Sequence, residues 1–235
     1  IWSIDISPDG ATLVTGSFDK TVRLWNLRTG DSEVLEEHTD RVRSVAYSFD
    51  GSMIVSGGVD QTVRLWEAST GRCFKTLSDV NVVYAVAFSP DGQMVASGGD
   101  DRAVRLWQVH TDECFSILPG HTQRIRSIAF SPDSKIVASG SEDGSVRLWD
   151  VRTGQCLHIL EGRSGQIWSV DFSPNGKLLA TGSNDGTITL WDVHSGTHVK
   201  TLRIERLYER MDITDVRGLT DAQIDTLKDL GAVQS

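Results

Sequence analysis

The residue types of a nucleophilic hydrolase occur together in this chain. Ser139 precedes Asp143 by four residues, His121 lies 18 residues before the serine, and Trp149 follows. A serine nucleophile needs an exposed hydroxyl, a base in contact with it and an oxyanion hole. These side chains would therefore suit acyl transfer, provided that the surrounding chain exposes the serine.

The stretch that holds Ser139 is repeated along the chain. Its copies read VTGSFDKTVRLWN, VSGGVDQTVRLWE, ASGGDDRAVRLWQ, ASGSEDGSVRLWD and ATGSNDGTITLWD. Their tryptophans are 41 or 42 residues apart, at Trp25, Trp66, Trp107, Trp149 and Trp191. Such a period indicates an array of one supersecondary unit. A serine repeated inside a strand pattern favours a buried, hydrogen-bonded structural role over a nucleophile.

Each repeat is predicted to form four short antiparallel strands. In the fourth repeat they cover 125–131, 135–140, 145–151 and 155–160, with turn residues such as Gly, Asp and Pro between them. Four strands that are apolar on both faces cannot bury themselves, so they must stack against similar sheets. Radial stacking of four-stranded sheets predicts an all-β fold, a β-propeller.

The repeat divides the chain into a propeller region, 1–202, and a tail, 203–235. The propeller region holds five blades, at about 1–37, 38–79, 80–120, 121–162 and 163–202. We expect these five blades to be part of a larger propeller rather than a closed ring of five. An incomplete ring would expose apolar blade faces at its two ends.

The tail contains one predicted helix, at 221–230. Thr220 is a suitable N-cap, and Gln223 completes a capping-box pattern with it. Gly231 is a natural residue at which the helix would stop.

Composition limits the classes of partner. The chain has 235 residues, a net charge of −9 and 39% hydrophobic residues, as in ordinary soluble globular proteins. An acidic chain lacks the basic footprint of nucleic-acid or anionic-membrane binders. No apolar run reaches the length of a membrane span. The chain opens without an initiator Met or a signal peptide, which we interpret as a cut from a longer cytoplasmic protein.

The sequence predicts no metal and no cofactor. Cys73, Cys114 and Cys156 occupy one register in successive repeats, too far apart for disulfides, and no CxxC or His/Cys ladder accompanies them. No phosphate-binding loop, zinc-protease motif or nucleophile elbow occurs. We therefore predict a protein without enzymatic activity.

The repeats resemble the WD-repeat family, the type found in G-protein β subunits. The features that carry the resemblance are the Gly120-His121 pair, the Ser139-Gly140 strand end, the turn residue Asp143 and the closing Trp149-Asp150. The resemblance covers about 1–202. It implies a propeller that assembles other macromolecules, usually without catalysis of its own.

The resemblance also implies a hydrogen-bonded tetrad of His, Ser/Thr, Asp and Trp in each blade. Two blades hold complete sets, namely His38, Ser56, Asp60 and Trp66, and His121, Ser139, Asp143 and Trp149. Asp79 takes the histidine position in blade three, Arg163 takes it in blade five, and that of blade one would precede residue 1. For the repeated arginine of VRLW we expect a structural role between blades.

A partner-binding surface, here called the top face, follows from the same resemblance. Its residues are Trp2, Phe18, Arg41, Arg43, Tyr84, Asp100, Arg124, Arg126, Glu142, Gln166, Trp168 and Asn184. Arginine and aromatic residues are enriched at interface hot spots. The hypothesis is a protein or peptide partner carrying carboxylates or a phosphate. The alternative is a solvated rim whose arginines are partly neutralised by Asp100 and Glu142.

The tail sequence YERMDITDVRGLTDAQIDTLKDLGA resembles the ending of bacterial multidomain proteins in which a signalling NTPase precedes WD repeats. The leading functional hypothesis is therefore a non-catalytic interaction module, the sensor or regulatory part of a longer signalling protein, with the upstream domain of the same polypeptide as a further partner. A freestanding scaffold for a multiprotein assembly is the second hypothesis. A hydrolase using His121 and Ser139 is a distant third.

Overall fold

A computed structural model describes residues 1–111, 114–161, 165–203, 214 and 220–229. These residues form twenty strands and one helix, so the all-β fold class and the short C-terminal helix are confirmed. In chain order the strands are β1 Ser3–Ile6, β2 Thr12–Gly16, β3 Val22–Asn26, β4 Ser32–Leu35, β5 Val42–Tyr47, β6 Met53–Gly58, β7 Thr62–Glu67, β8 Cys73–Ser78, β9 Val83–Phe88, β10 Met94–Gly99, β11 Ala103–Gln108, β12 Cys114–Pro119, β13 Ile125–Phe130, β14 Ile136–Ser141, β15 Ser145–Asp150, β16 Cys156–Glu161, β17 Ile167–Phe172, β18 Leu178–Ser183, β19 Thr187–Asp192 and β20 His198–Arg203.

The strands form five separate antiparallel sheets of four, each in simple chain order. We call them blades one to five. In blade four, Ser139 of β14 pairs with Ile128 of β13 on one side and with Arg147 of β15 on the other. The second strand of a blade is therefore central in its sheet, and its serine is enclosed by strands on both sides.

Consecutive blades are joined by clusters of buried apolar side chains. Between blades four and five, Val146 and Leu148 pack with Ile167, Val170 and Trp191. Comparable clusters join blades one to two, two to three and three to four. Burial of alternate residues on both faces of each sheet is the reason why the strands are rich in β-branched residues.

The five blades form an open array within residues 1–200. In the part of the chain that the structure describes, no buried cluster joins blade five to blade one. Ile4 and Ile6 of β1 are 63% and 55% exposed, whereas the equivalent Val45 and Tyr47 of β5 are 4% and 8% exposed. The expected exposure of apolar blade faces at the ends of the array is therefore present.

The chain divides into two compact units, 1–200 and 201–235. The second holds helix α1, Asp221–Asp229. The Thr220 N–H donates to Gln223 Oε1 at 2.9 Å, and the Gln223 N–H donates to Thr220 Oγ1 at 3.3 Å, which is a capping box. Residue 230 and the stop expected at Gly231 lie outside the described residues. The domain and blade boundaries given above stay predictions. No described helix is long and apolar enough to cross a membrane.

Candidate functional site

The tetrad side chains of blade four lie within hydrogen-bonding distance of one another. His121 Nε2 is 2.8 Å from Ser139 Oγ, and His121 Nδ1 is 3.0 Å from Asp143 Oδ2. The Trp149 indole N–H donates to Ser139 Oγ at 2.9 Å. The Thr122 N–H also donates to Asp143 Oδ2, at 2.8 Å. The network thus links the start of the first strand to the second strand, the following turn and the third strand.

Blade two repeats this arrangement. His38 Nε2 lies 2.7 Å from Ser56 Oγ, and His38 Nδ1 lies 2.8 Å from Asp60 Oδ2. The Trp66 indole donates to Ser56 Oγ at 2.8 Å. Ser56 and Ser139 are both 0% exposed. Neither hydroxyl is open to a substrate, and each already accepts a bond from a tryptophan. This geometry supports a structural role, because a nucleophile needs an accessible hydroxyl.

The environment of the tetrads shifts the pKa of their carboxyls. Burial alone would raise the pKa of Asp60, but hydrogen bonding and charge interaction with His38 outweigh it and lower that pKa from 3.8 to about 2. Burial likewise opposes the fall at Asp143, where bonds from Ser145 and the Thr122 N–H lower the pKa to about 2. Burial also lowers the pKa of His121. The folded tetrads therefore favour ionised aspartates.

Blade three replaces the histidine by a buried ion cluster. The Ser97 hydroxyl donates to Asp79 Oδ2 at 2.9 Å and accepts from the Trp107 indole at 2.9 Å. Arg105 Nη1 pairs with Asp79 Oδ1 at 2.9 Å and also with Asp101. Arg105 Nη1 is therefore close enough to both carboxylates for an ion pair, but it is not aligned for a hydrogen bond with either of them. Burial raises the pKa of Asp79, and the charge of Arg105 opposes that rise.

The arginines of the VRLW repeats contact the histidine position or the residue beside it. Arg105 pairs with Asp79, at the histidine position of blade three, and with Asp101 in the following turn. Arg64 Nη1 reaches Glu37, directly before His38, and Thr76 of β8. The expected structural role between blades stays a prediction.

Blades one and five keep part of the tetrad. The Trp25 indole donates to Thr15 Oγ1 at 3.0 Å, and the Trp191 indole donates to Thr181 Oγ1 at 3.0 Å. Arg163, at the histidine position of blade five, lies outside the described residues. The bond from tryptophan to Ser or Thr is thus common to all five blades, whereas the residue at the histidine position varies.

The top-face residues at the start of the first strand of each blade form a continuous alternation of rings and guanidinium groups; Trp2 directly precedes β1. This aromatic–arginine row consists of Trp2, Arg43, Tyr84, Arg126 and Trp168. The Arg43 Cζ lies 4.1 Å from the Trp2 ring centroid and 5.3 Å from that of Tyr84. The Arg126 Cζ lies 4.8 Å from Tyr84 and 5.0 Å from Trp168. These separations are within the range of cation–π attraction.

The arginines of blade four on this face are paired with acids. Arg126 Nε donates to Glu142 Oε1 at 2.7 Å, and Arg124 Nε lies 2.7 Å from Asp100 Oδ1. Arg124 also lies over Tyr84, at 5.8 Å. For this half of the face, the alternative of neutralised arginines fits the observed contacts.

The arginines of blade two differ, because no acid pairs with them among the described residues. Arg41 lies over the Phe18 ring at 4.0 Å, and Arg43 lies between Trp2 and Tyr84. Arg43 Nε is buried and has no hydrogen-bond partner in the described part of the chain. The remaining predicted residues meet in blade five, where the Gln166 N–H donates to Asn184 Oδ1 at 2.9 Å. The positive charge of the face is therefore uncompensated at blade two.

Trp2, Phe18 and Trp168 are more than half exposed, at 54%, 54% and 51%. An exposed aromatic beside a partly desolvated guanidinium is the combination found at interface hot spots. The family resemblance named these residues as the top face, but it did not show which arginines have acidic neighbours. Within the described residues, no group of three or more His, Cys, Asp or Glu could hold a metal ion.

Comparison with known proteins agrees with this architecture of repeated four-stranded blades. The family model described as "WD domain, G-beta repeat" matches residues 1–26, 31–67, 71–108, 112–150 and 154–192. The chain therefore belongs to the WD40 repeat family. The matches have nearly the period of the tryptophans, and each includes one tetrad tryptophan.

Among curated proteins the chain is similar to eukaryotic translation initiation factor 3 subunit I from several fungi. It is 44% identical to that of Aspergillus fumigatus over 48 residues, which are 20% of this chain and 14% of the relative. It is 58% identical to that of Aspergillus niger over 31 residues, which are 13% of this chain and 9% of the relative. The match spans a small part of these relatives. Membership of the WD40 repeat family supports a role as a protein-interaction scaffold.

Proposed function

We propose that this chain is a non-catalytic interaction module whose top face captures a protein or peptide segment bearing carboxylates or a phosphate. The observation that carries the proposal is Arg43, whose guanidinium lies between Trp2 and Tyr84 with no acid paired to it among the described residues. An anionic group of a partner would supply the missing counter-charge for the half-buried Arg43 guanidinium.

The aromatic neighbours contribute in two ways. Trp2 and Tyr84 hold the guanidinium from two sides, which reduces the rotamer entropy that binding must overcome. They also offer apolar surface to the partner, and Trp2 is 54% exposed. Charge-assisted bonds from arginine to carboxylate or phosphate are shorter and stronger than neutral ones. The site therefore suits an acidic or phosphorylated residue flanked by an apolar one.

Blade two is the better anion site because blade four is already neutralised. Arg126 and Arg124 would have to leave Glu142 and Asp100 before they could bind a partner. Arg41 and Arg43 need no such exchange. The proposed anion site is therefore the part of the top face between Phe18, Trp2 and Tyr84. Trp168 and Arg126 lie at its rim.

Fluorescent peptide libraries with one fixed central residue test this proposal. Libraries centred on phosphoserine, glutamate or lysine are titrated by anisotropy against the chain, against Arg43→Gln and against Arg28→Gln, an exposed turn residue off the face. The phosphoserine and glutamate libraries should bind, the lysine library should not, and Arg43→Gln alone should weaken binding at least tenfold. Equal binding of all libraries, or unchanged binding by Arg43→Gln, would contradict the proposal.

A second, finer hypothesis places this module in a longer bacterial signalling protein in the cytoplasm, where it regulates an upstream domain of the same polypeptide. The tail resemblance at 208–232 supports it, and the fungal relatives do not address it. A freestanding scaffold is the competing hypothesis. A nucleotide-binding domain before Ile1 would favour the regulatory switch, whereas further blades alone would favour the scaffold.

A further inference from the structure

A groove of about 380 Å³ lies between blades three and four. Blade three contributes Met94 and Phe115 to its lining, and blade four contributes the turns that hold Lys135 and Val151. These turns follow β13 and β15, whereas the top face lies at the start of β13 and in the turn before β15. Because neighbouring strands are antiparallel, the groove lies at the opposite end of the blades from the top face.

The apolar lining of the groove continues the core of the blade junction to the surface. Met94 packs on the buried cluster that joins blades three and four, and Val151 belongs to that cluster. Phe115, in the outer strand of blade three, is 47% exposed. Apolar surface of this kind, bordered by polar residues, is typical of interaction sites.

Ser134 fixes one side of the groove. Its φ is 59°, a left-handed conformation in which the other four blades have glycine. Its Oγ accepts a hydrogen bond from the Asp91 N–H of blade three at 3.1 Å. The serine side chain thus ties the turn beside the groove to the neighbouring blade, so the groove is preformed.

The same register between blades one and two gives a groove of different chemistry. The positions of Met94 and Arg152 are taken there by Thr12 and Ser69. Three carboxylates also line that groove, namely those of Asp9, Asp50 and Glu67. The apolar lining and the cations of the groove between blades three and four are therefore not imposed by the blade repeat.

A side chain of the outer strand crosses each of the two neighbouring junctions. Lys75 Nζ of blade two donates to the Val109 and Thr111 carbonyl oxygens of blade three, both at 2.7 Å. His158 Nε2 of blade four lies 3.1 Å from the His194 carbonyl oxygen of blade five. We call Lys75 and His158 the bridging residues.

Blade three has a serine, Ser116, in the register of the bridging residues. Its Oγ lies beside Gly154 of blade four, 3.2 Å from the place that a Cβ of that glycine would occupy. A hydroxyl group one bond beyond Cβ cannot span the junction as a lysine does. The groove is therefore open at the junction where a long bridging residue is missing.

Two cations border this groove. Lys135 lies 3.7 Å from Asp133 in an exposed pair, which contributes little and can be exchanged for a partner's carboxylate. Arg152 is also exposed. Asp150 Oδ1 accepts from the Thr153 N–H and hydroxyl, both at 2.7 Å, so this acid is committed to its own turn. In a chain of net charge −9, the two cations favour an acidic group beside the apolar lining.

We propose that this groove binds an extended segment of a partner protein that carries a large apolar side chain next to a glutamate or aspartate. The apolar side chain contacts Met94, Phe115 and Val151, and the carboxylate binds Lys135 or Arg152. A mainly apolar cleft with a few polar groups that fix orientation is the usual form of such a site. Because the top face lies at the other end of the blades, one chain can hold two partners at once.

Methionine methyl signals in ¹³C NMR spectra report occupancy of the groove. Met94 lines the groove, and Met53 has the same register at the junction that Lys75 crosses. A peptide library with a fixed central Phe-Glu pair should shift the Met94 signal, assigned with Met94→Leu, and leave that of Met53 in place. Libraries with a central Phe-Lys or Ser-Glu pair should bind about tenfold more weakly or less.

Two variants change the groove without touching the top face. Ser116→Lys gives blade three the bridging residue of blade two, and Phe115→Ser removes the exposed aromatic ring. Each should weaken binding of the Phe-Glu library about tenfold. Phe74→Ser, at the same register in blade two, is the matched control and should bind as the wild type does. Circular dichroism verifies folding, and if one variant is unfolded the other decides.

The outcome is separable from that of the top-face proposal, because Arg43→Gln should leave the Met94 shift unchanged. No Met94 shift, equal binding of the three libraries, or unchanged binding by the folded groove variants would overturn the proposal. A Met94 shift that grows with protein concentration in the absence of peptide would assign the groove to a second copy of the chain, which would also overturn it.

Discussion

Arg105 Nη1 lies 2.9 Å from Asp79 Oδ1, in the place where blades two and four have a histidine. Both side chains are buried, at 8% and 4% exposure. Asp79 still binds the serine that holds the blade tryptophan, as the histidines do in their blades. In each of these blades, the segment before the first strand is therefore linked to the second strand. Blades two and four make this link with a histidine, and blade three makes it with an aspartate–arginine pair. That two different chemistries serve the same link indicates a structural role.

Removal of the buried Arg105 should lower the stability of the fold more than removal of a partly exposed arginine. Arg105→Ala leaves Asp79 and Asp101 without their shared cation, and breaking a buried pair typically costs about 3–5 kcal/mol. Arg23→Ala is the matched control, since Arg23 is 3.9 Å from Asp19 and the two side chains are 34% and 53% exposed; pairs near the surface contribute about 0–1 kcal/mol. Urea unfolding measures the loss of stability in both variants. Equal losses in the two variants would contradict the assignment.

Loss of a tetrad histidine should lower the stability of the fold without affecting the top face. His121→Ala leaves Ser139 and Asp143 without a partner, and we expect the free energy of unfolding to fall by about 1–3 kcal/mol. His110→Ala, at an exposed turn, is the control and should change little. An unchanged unfolding midpoint for His121→Ala would show that the network does not stabilise the blade.

The tetrads should make the protein sensitive to acid. The pKa of Asp60 and of Asp143 is about 2 in the folded chain against an ordinary 3.8. A depressed pKa stabilises the fold above the ordinary value and ceases to do so as pH falls through the folded value. Stability should therefore decline between about pH 4 and pH 2. The double variant Asp60→Asn, Asp143→Asn should be less stable at neutral pH, and its stability should decline less steeply with falling pH. Urea titrations at each pH measure this stability. An equally steep decline in the double variant would show that the tetrad aspartates are not the origin of the acid sensitivity.

The three cysteines should react as free thiols at different rates. They are free in the structure, with Cys156 exposed and Cys73 and Cys114 half-buried. Burial raises the pKa of Cys114, which lowers its thiolate fraction. A disulfide reagent should therefore modify Cys156 first and Cys114 last, as peptide mapping would show. Fewer than three reactive thiols after unfolding without reductant, or Cys114 reacting first, would contradict this order.

The sequence was sufficient to predict the repeated blades and most members of the tetrads. The spacing of Trp25 to Trp191 predicts blades because a fixed period requires a repeated unit, and alternation within strands predicts their faces. It could not tell that Arg105 turns towards Asp79, since the partner is 26 residues away and is chosen by the fold. Likewise the pattern placed Arg43 and Arg126 in one register, but only the structure distinguishes the arginine with an acidic neighbour from the one without.

Indole N–H signals in ¹⁵N-edited NMR spectra give the most direct test of the top-face proposal. The chain has seven tryptophans, of which five donate their indole N–H to tetrad residues. Trp2 and Trp168 lie on the top face. On titration with a phosphoserine peptide, the Trp2 signal should shift most, that of Trp168 less, and the five tetrad signals should stay in place. The Trp2 shift should vanish in Arg43→Gln. No shift at Trp2, or shifts confined to tetrad tryptophans, would contradict the proposed site.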